Sequence, residues 1–229
     1  MDGLVEQGKV LQREREIAAS KFHRADRKIV AEVVETIKNR QGRILEIGCG
    51  HGDITRDYIA PNCASVVATD IVDHFRREGA SDNISFQLED ALKLSFADES
   101  FDGVISIQVI EHVEDDVGFV RESLRVLRRG GTLFFTTPNR LRLSSIMRYL
   151  VGRPLRFPHL YAHDAVLGDI LHLREYSLID MQRFVAEFPI SSVEIKGIWF
   201  GIPSLQVGIA KPPKFLQGYA FNWHVRIVK

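Results

Sequence analysis

The residues able to do chemistry fall in a few short clusters. Glu46 stands two residues before Gly48, Gly50 and Gly52, with Cys49 inside that glycine run. Asp70 closes one apolar stretch, Asp90 and Ala91 follow a second, and Gln108, Glu111 and His112 follow a third. His172 lies further on. Glycines let the backbone turn sharply and let a ligand lie against bare peptide. The N–H groups that open a following helix point at whatever sits there. A carboxylate at position 46 repels a pyrophosphate and suits a cationic amino group. The order acidic-x-G-x-G-x-G also differs from the G-x-G-x-x-G of a dinucleotide turn. An acidic residue about twenty positions beyond such glycines is placed for ribose hydroxyls, with helix capping as its structural alternative. His112 and His172 are the candidate general bases, against the plainer reading of histidines satisfied at helix starts.

The elements that must position these residues alternate along the chain. Ile44, Leu45 and Ile47 form an apolar strand that stops at Gly48, and Asp53 to Ala60 reads as a short helix broken at Pro61-Asn62. Strands are predicted over 65–71, 84–88, 101–107 and 131–139, with a short helix over 72–79. A further helix begins at Asp115 or Asp116, carries Val117, Val120, Leu124 and Leu127 on one side, and stops at a left-handed cap at Gly130-Gly131. Strand–helix–strand order with apolar strands implies a parallel sheet covered on both faces. Ligands of such sheets sit at the carboxyl ends of the strands, where Glu46 to Gly52, Asp70, Asp90 and Gln108 all fall. Upstream, Ile29, Val30, Val33, Val34 and Ile37 have helical spacing and suggest a docking helix. His23, Arg24 and Arg27 would lie on its solvated face or over the pocket.

The segments E-I-G-C-G-H-G, V-V-A-T-D-I, Q-L-E-D-A, F-D-G-V-I-S-I-Q-V-I-E-H-V and R-V-L-R-R-G-G-T-L-F-F-T-T-P-N, in that order, resemble the class I S-adenosylmethionine-dependent methyltransferases of small-molecule type. The resemblance runs from about Gln41 to Asn139, with a weaker extension at His172 to Ser177. It implies an α/β, Rossmann-like, doubly wound sheet of seven strands, mostly parallel with an antiparallel last strand pair. Residues 192–199 and 224–229 would supply that pair. It implies S-adenosyl-L-methionine as cofactor, with Gly48, Cys49, Gly50 and Gly52 around its methionine part, and the Glu46 carboxylate would then lie close to its cationic amino group. Asp70 would bind the ribose, Ile71, Asp90 and Ala91 the adenine, and Gln108 would lie beside the homocysteine chain. Small-RNA 2′-O-methyltransferases are similar in having two glutamates and two histidines around a divalent ion. Here Glu111, His112 and His172 match, but Gln108 replaces the first glutamate, and no metal is expected.

The totals set the remaining bounds. A chain of 229 residues, 45% hydrophobic and 26% charged, has enough material for one sizeable core. The reading is a single domain over 1–229, with a helical cover (1–41), a cofactor core (42–139), a substrate-side insertion and helix (140–189) and C-terminal strands (190–229). Thirty basic and thirty acidic side chains give a net charge of +0, which argues against nucleic acid as the partner. Two cysteines do not make a disulfide framework. With no signal-peptide pattern and no membrane-length apolar run, the expected location is the cytoplasm.

Residues 140–156 interleave Arg140, Arg142, Arg148, Arg153 and Arg156 with apolar side chains. Such a stretch makes peripheral membrane contact or embraces a lipid-linked acceptor, or it forms a lid whose arginines stay wet. The insertions of ubiquinone-pathway O-methyltransferases resemble it. The function expected is methyl transfer by in-line displacement to a small-molecule or lipid-linked acceptor, at oxygen. The rivals are a metal-assisted RNA 2′-O-methyltransferase, a non-catalytic S-adenosylmethionine-binding protein and a nucleotide-dependent oxidoreductase. Oligomeric state has no signature in the sequence.

Overall fold

The computed structural model describes residues 42–75, 81–152, 159–160, 171–202 and 205–229, together with Arg27, Val30, Val33 and Val34 at helical positions. Five strands lead the chain: β1 (Arg43–Ile47), β2 (Ser65–Asp70), β3 (Ile84–Leu88), β4 (Phe101–Ile107) and β5 (Leu127–Pro138). Two more, β8 (Ser192–Ile198) and β11 (Asn222–Val228), complete a seven-stranded sheet in the order β3-β2-β1-β4-β5-β11-β8. The first five pair in parallel, and β11 runs antiparallel to both β5 and β8. This is the sheet that the resemblance implies, including the antiparallel pair.

Alternate residues of the central strands face opposite layers. Ile44, Val66, Ile105 and Phe134 pack with Val30, Val34 and Ile59 on one face. Leu45, Val67, Val104 and Phe135 join the other core, with Phe119, Val120, Met181 and Trp223. The apolar residues are therefore continuous rather than alternating with polar ones, as a strand buried on both sides requires. Val30, Val33 and Val34 dock where the apolar stripe places them. Ile29, Ile37, His23 and Arg24 lie outside the described residues.

Local chain paths differ from expectation in three places. The segment after the glycines is helical at Asp53 and Ile54, widens into a π turn over Thr55–Ile59 and tightens to 3₁₀ over Ala60–Asn62. Val72 to Phe75 is not helical. The helix α1 (Asp116–Val126) ends before Leu127, which is extended and begins β5. Gly130 is left-handed (φ 70°) but sits inside β5 rather than capping a helix. The N-terminus of α1 is as expected, with Asp115 accepting the Gly118 N–H at 2.8 Å.

The substrate-side segment carries α2 (Leu143–Leu150) and a small antiparallel pair, β6 (His159–Leu160) with β7 (Leu171–His172). Arg153 and Arg156 lie outside the described residues. α3 (Leu178–Val185) follows, then the hairpin β9 (Phe200–Ile202) and β10 (Val207–Ile209), and the single turn α4 (Lys214–Gln217). No described helix is long and apolar enough to cross a membrane.

Candidate functional site

At the carboxyl end of β1, Gly48, Gly50 and Gly52 all have positive φ (75°, 53° and 79°), but their bare Cα atoms serve different ends. A Cβ on Gly48 would stand 2.3 Å from Val109 Cγ2, and one on Gly52 would stand 2.2 Å from the Phe75 ring. One on Gly50 would meet no described atom within 4 Å. Gly48 and Gly52 let protein close in on the loop. Among the described residues Gly50 faces open space, and that is where a ligand has room. The end of β2 holds the loop in place. The Thr69 carbonyl accepts the N–H groups of Gly48 (2.8 Å) and Cys49 (2.9 Å). Asp70 accepts the Gly50 N–H at 2.8 Å through Oδ2 and the Val72 N–H at 3.2 Å through Oδ1.

This corner is electronegative and partly dry. Glu46 is buried behind the loop, where it accepts the Thr55 hydroxyl. Burial pushes its pKa up to about 7, with the Asp70 charge adding to the rise and the Thr55 bond opposing it. Burial, then Glu46, pushes the Cys63 thiol up to about 11. Burial, Glu46 and Asp70 push Cys49 higher still, so neither thiol is a nucleophile at neutral pH.

The next strand tips carry the remaining candidates. Ile71 is 74% exposed, an unusual state for a large apolar residue at a strand end. Asp90 Oδ1 accepts the Leu92 N–H at 2.9 Å and closes its own turn, with Ala91 half-buried beside it. Gln108 has φ 57°, a left-handed conformation that a residue with a Cβ adopts at a cost of roughly 1 kcal/mol or more. Its Nε2 donates to Thr136 Oγ1 at 2.9 Å, which fixes the side chain over the β4–β5 edge.

A second cluster sits beside the first. Glu111 is fully buried, and neither of its carboxylate oxygens has a hydrogen-bond partner of ordinary geometry among the described residues. The Thr137 hydroxyl lies beside it and opposes the effect of its burial. Burial pushes the Glu111 pKa up to about 8. The His112 and His172 rings meet edge to face with centroids 4.8 Å apart. His172 Nδ1 lies 3.2 Å from Glu175 Oε1, and Arg142 Nη1 donates to Glu175 Oε2 at 2.8 Å.

Several bonds stitch this downstream segment to the β4 turn. Leu173 N–H donates to the Glu111 carbonyl at 2.7 Å, and Arg174 donates to the carbonyls of Val113 (2.9 Å) and Glu114 (2.6 Å). The Tyr176 hydroxyl donates to Asp116 at 2.6 Å. The two histidines, distant in sequence, are thus brought together, while Glu46 to Gly52 and Asp70 form their own corner.

Arg142 corrects the picture of an arginine face left in water. Its side chain is 12% exposed and ion-paired with a Glu175 side chain that is 3% exposed. Glu175, Val109, Thr136 and Thr55 were not singled out from the sequence. A Glu three residues after a candidate His was a legible hint for the first; the others have no sequence signal. The groove lined by Leu178, Gln182, Phe188 and Trp223 includes none of the candidate residues.

Residues 45–135 match the family model described as a methyltransferase domain. Over 99 residues the chain is 35% identical to "Methyltransferase GfsG" of Streptomyces halstedii, covering 40% of this chain and 36% of that protein. Over 106 residues it is 33% identical to a ubiquinone biosynthesis O-methyltransferase of Parvibaculum lavamentivorans, covering 43% and 41%. The matches thus span about two fifths of these relatives' lengths. A solved SAM-dependent methyltransferase from Thermotoga maritima shares the fold, with a TM-score of 0.60 at 18% identity over 88% of this chain and 92% of that one. Residues 45–135 thus match a methyltransferase domain, and the sheet order around the glycine corner is the fold of the solved S-adenosylmethionine-dependent methyltransferase.

Proposed function

We propose that this chain transfers a methyl group from S-adenosylmethionine to an oxygen of a small-molecule or lipid-linked acceptor. The observation that carries this reading is the corner formed by Gly50, Asp70 and Glu46: open space against a bare left-handed backbone, ringed by carboxylates. The residues present fit the cofactor. Glu46 and the loop favour a cationic amino-acid end, and Asp70 is at hand for ribose hydroxyls. Exposed Ile71, with Asp90 and Ala91, offers an apolar and polar seat for a purine. Gln108, locked on Thr136, would border the homocysteine chain.

When bound, the cofactor supplies a methyl on a sulfonium; the S–CH3 electron pair returns to sulfur, leaving a thioether as the acceptor forms its new bond. The protein's part is alignment and water exclusion. The contact between the His112 and His172 rings supports a role for this pair in taking the acceptor's proton. On α2 and its flanks, Leu141, Met147, Tyr149, Leu150 and Val151 remain exposed, which supports an apolar or lipid-linked acceptor. The named O-methyltransferase relative supports oxygen as the nucleophile.

Calorimetric titration tests the reading. S-adenosylmethionine and S-adenosylhomocysteine should release heat and NAD should not. Radiolabelled methyl should then pass into a lipid or metabolite extract. Heat with NAD alone would overturn the assignment.

A further inference from the structure

We propose that β8, at the edge of the sheet, is where two copies of this chain pair edge to edge across a twofold axis perpendicular to the sheet. β8 is paired with β11 on one side, and among the described residues no strand pairs with its other side. Such an edge offers a row of backbone N–H and C=O groups to any strand that can lie beside it. Its residues sort onto two faces: Ser192, Glu194, Lys196 and Ile198 on one, Val193, Ile195 and Gly197 on the other. The interface stands apart from the methyl-transfer reading and would be the same whatever the glycine corner binds.

The charges on the first face choose both partner and register. A lone lysine on an edge deters pairing. Here an acid and a base stand two residues apart, both exposed, and form an ion pair at 2.7 Å within the chain. A twofold axis perpendicular to the sheet leaves each face where it was, so only residues of one face can lie opposite each other. The axis therefore passes through a residue of β8, never between two. Through Glu194 or through Lys196, it sets a charge against its own twin. Through Ile195, the centre of the strand, it sets Glu194 opposite Lys196 of the second copy, twice over. Opposite charges directly across a strand pair stabilise it, and like charges oppose it. The strand is thus complementary to itself in one register, as a twofold dimer requires.

The second face supplies apolar surface in the same register. Leu178, Gln182, Phe188, Val193, Ile195 and Lys214 line a groove of about 610 Å³. Within it Val193 is 42% exposed. α4 crosses this face at Gly197, where a Cβ would stand 2.3 Å from the Gln217 carbonyl oxygen, and α4 carries Phe215, 77% exposed. With the axis through Ile195, Gly197 of one copy lies opposite Val193 of the other. α4 of each copy is then beside the groove of its twin, with Phe215 at hand to cover Val193. The paired strands run antiparallel, so the two glycine corners open at opposite ends of the joined sheet, each beyond β4 from the interface.

The test is the mass of the full chain in solution, by analytical ultracentrifugation between about 1 and 100 µM. The wild type should move toward twice the 26.0 kDa of one chain as concentration rises. Glu194→Lys and Lys196→Glu each set like charges across the axis, and each should weaken association at least about tenfold. Mixed in equal amounts, the two variants should recover association, because every cross-strand pair is then opposite in sign. The double variant Glu194→Lys/Lys196→Glu should recover it alone. Phe215→Ser should weaken association roughly fivefold. Circular dichroism checks that each variant is folded, and a misfolded variant would not be rescued by mixing. A wild type that keeps the mass of one chain throughout would overturn the interface. So would single variants that associate as the wild type does, or a mixture that associates no better than its parts.

Discussion

At the scale of single residues, Glu46 carries the most chemistry. Its pKa of about 7 lies above the ordinary 4.5, so between those values the folded chain holds a proton that the unfolded chain has lost. Stability contributed below pH 4.5 is therefore lost as pH rises toward 7, by on the order of 3 kcal/mol. A cationic ligand reverses the preference, because it favours the ionised carboxylate. Affinity for S-adenosylhomocysteine should thus rise on the order of tenfold between pH 6 and pH 7.5 and level off above. Glu46→Gln should flatten that profile and remove the matching slope in denaturation midpoints. A pH-independent wild-type affinity would separate Glu46 from the ligand.

The glycines divide in the same way. Gly48→Ala forces a Cβ into Val109 at positive φ and should cost several kcal/mol in urea denaturation. Gly50→Ala should cost only about 1 kcal/mol yet lower nucleoside affinity more than tenfold, because its Cβ enters the open space. Both glycines look alike in sequence. What separates them, Val109 on one and no described atom on the other, is a tertiary fact.

At the scale of elements, legibility followed the kind of signal each element leaves. β1 to β4 fall within a residue of their expected ends because β1, β2 and β4 are mainly apolar and β3 alternates, and Gly, Asp or a polar turn stops each of them. The end of α1 was misplaced because Leu127 continues the helical spacing while its backbone is already extended. The π turn at Thr55–Ile59 changes only which backbone groups pair, so no side-chain pattern announces it. The start of α1 was legible because capping has a side-chain signature. Asp115→Ala should cost about 1 kcal/mol, Asp115→Asn much less, and neither should change nucleoside affinity in calorimetry. The cap also explains Gly118, whose Cβ would press on the Asp115 carboxylate at 2.4 Å.

At the scale of the whole molecule, the last strand decides where His172 sits. β11 lies between β5 and β8, and from it the buried Trp223 donates Nε1–H to the Tyr176 carbonyl at 2.9 Å. The same carbonyl accepts the Arg140 N–H at 3.1 Å, so the segment 172–176 is pinned by both the C-terminal strand and the end of β5. The glycine corner, by contrast, is built from β1 and β2 on the far side of β4. No reading of the sequence linked Trp223 to the histidines, because the link passes through one backbone carbonyl. Trp223→Phe should keep an aromatic ring in the core while losing the N–H donor and some packing volume, at a cost on the order of 2 kcal/mol. Because the glycine corner has its own supports, S-adenosylhomocysteine affinity should hold within about twofold while methyl transfer falls at least tenfold. Urea denaturation, calorimetry and a methyl-transfer assay on the same preparation measure the three. A parallel loss of nucleoside affinity and turnover would mean that the two corners are one cooperative unit, not two halves meeting at the tip of β4.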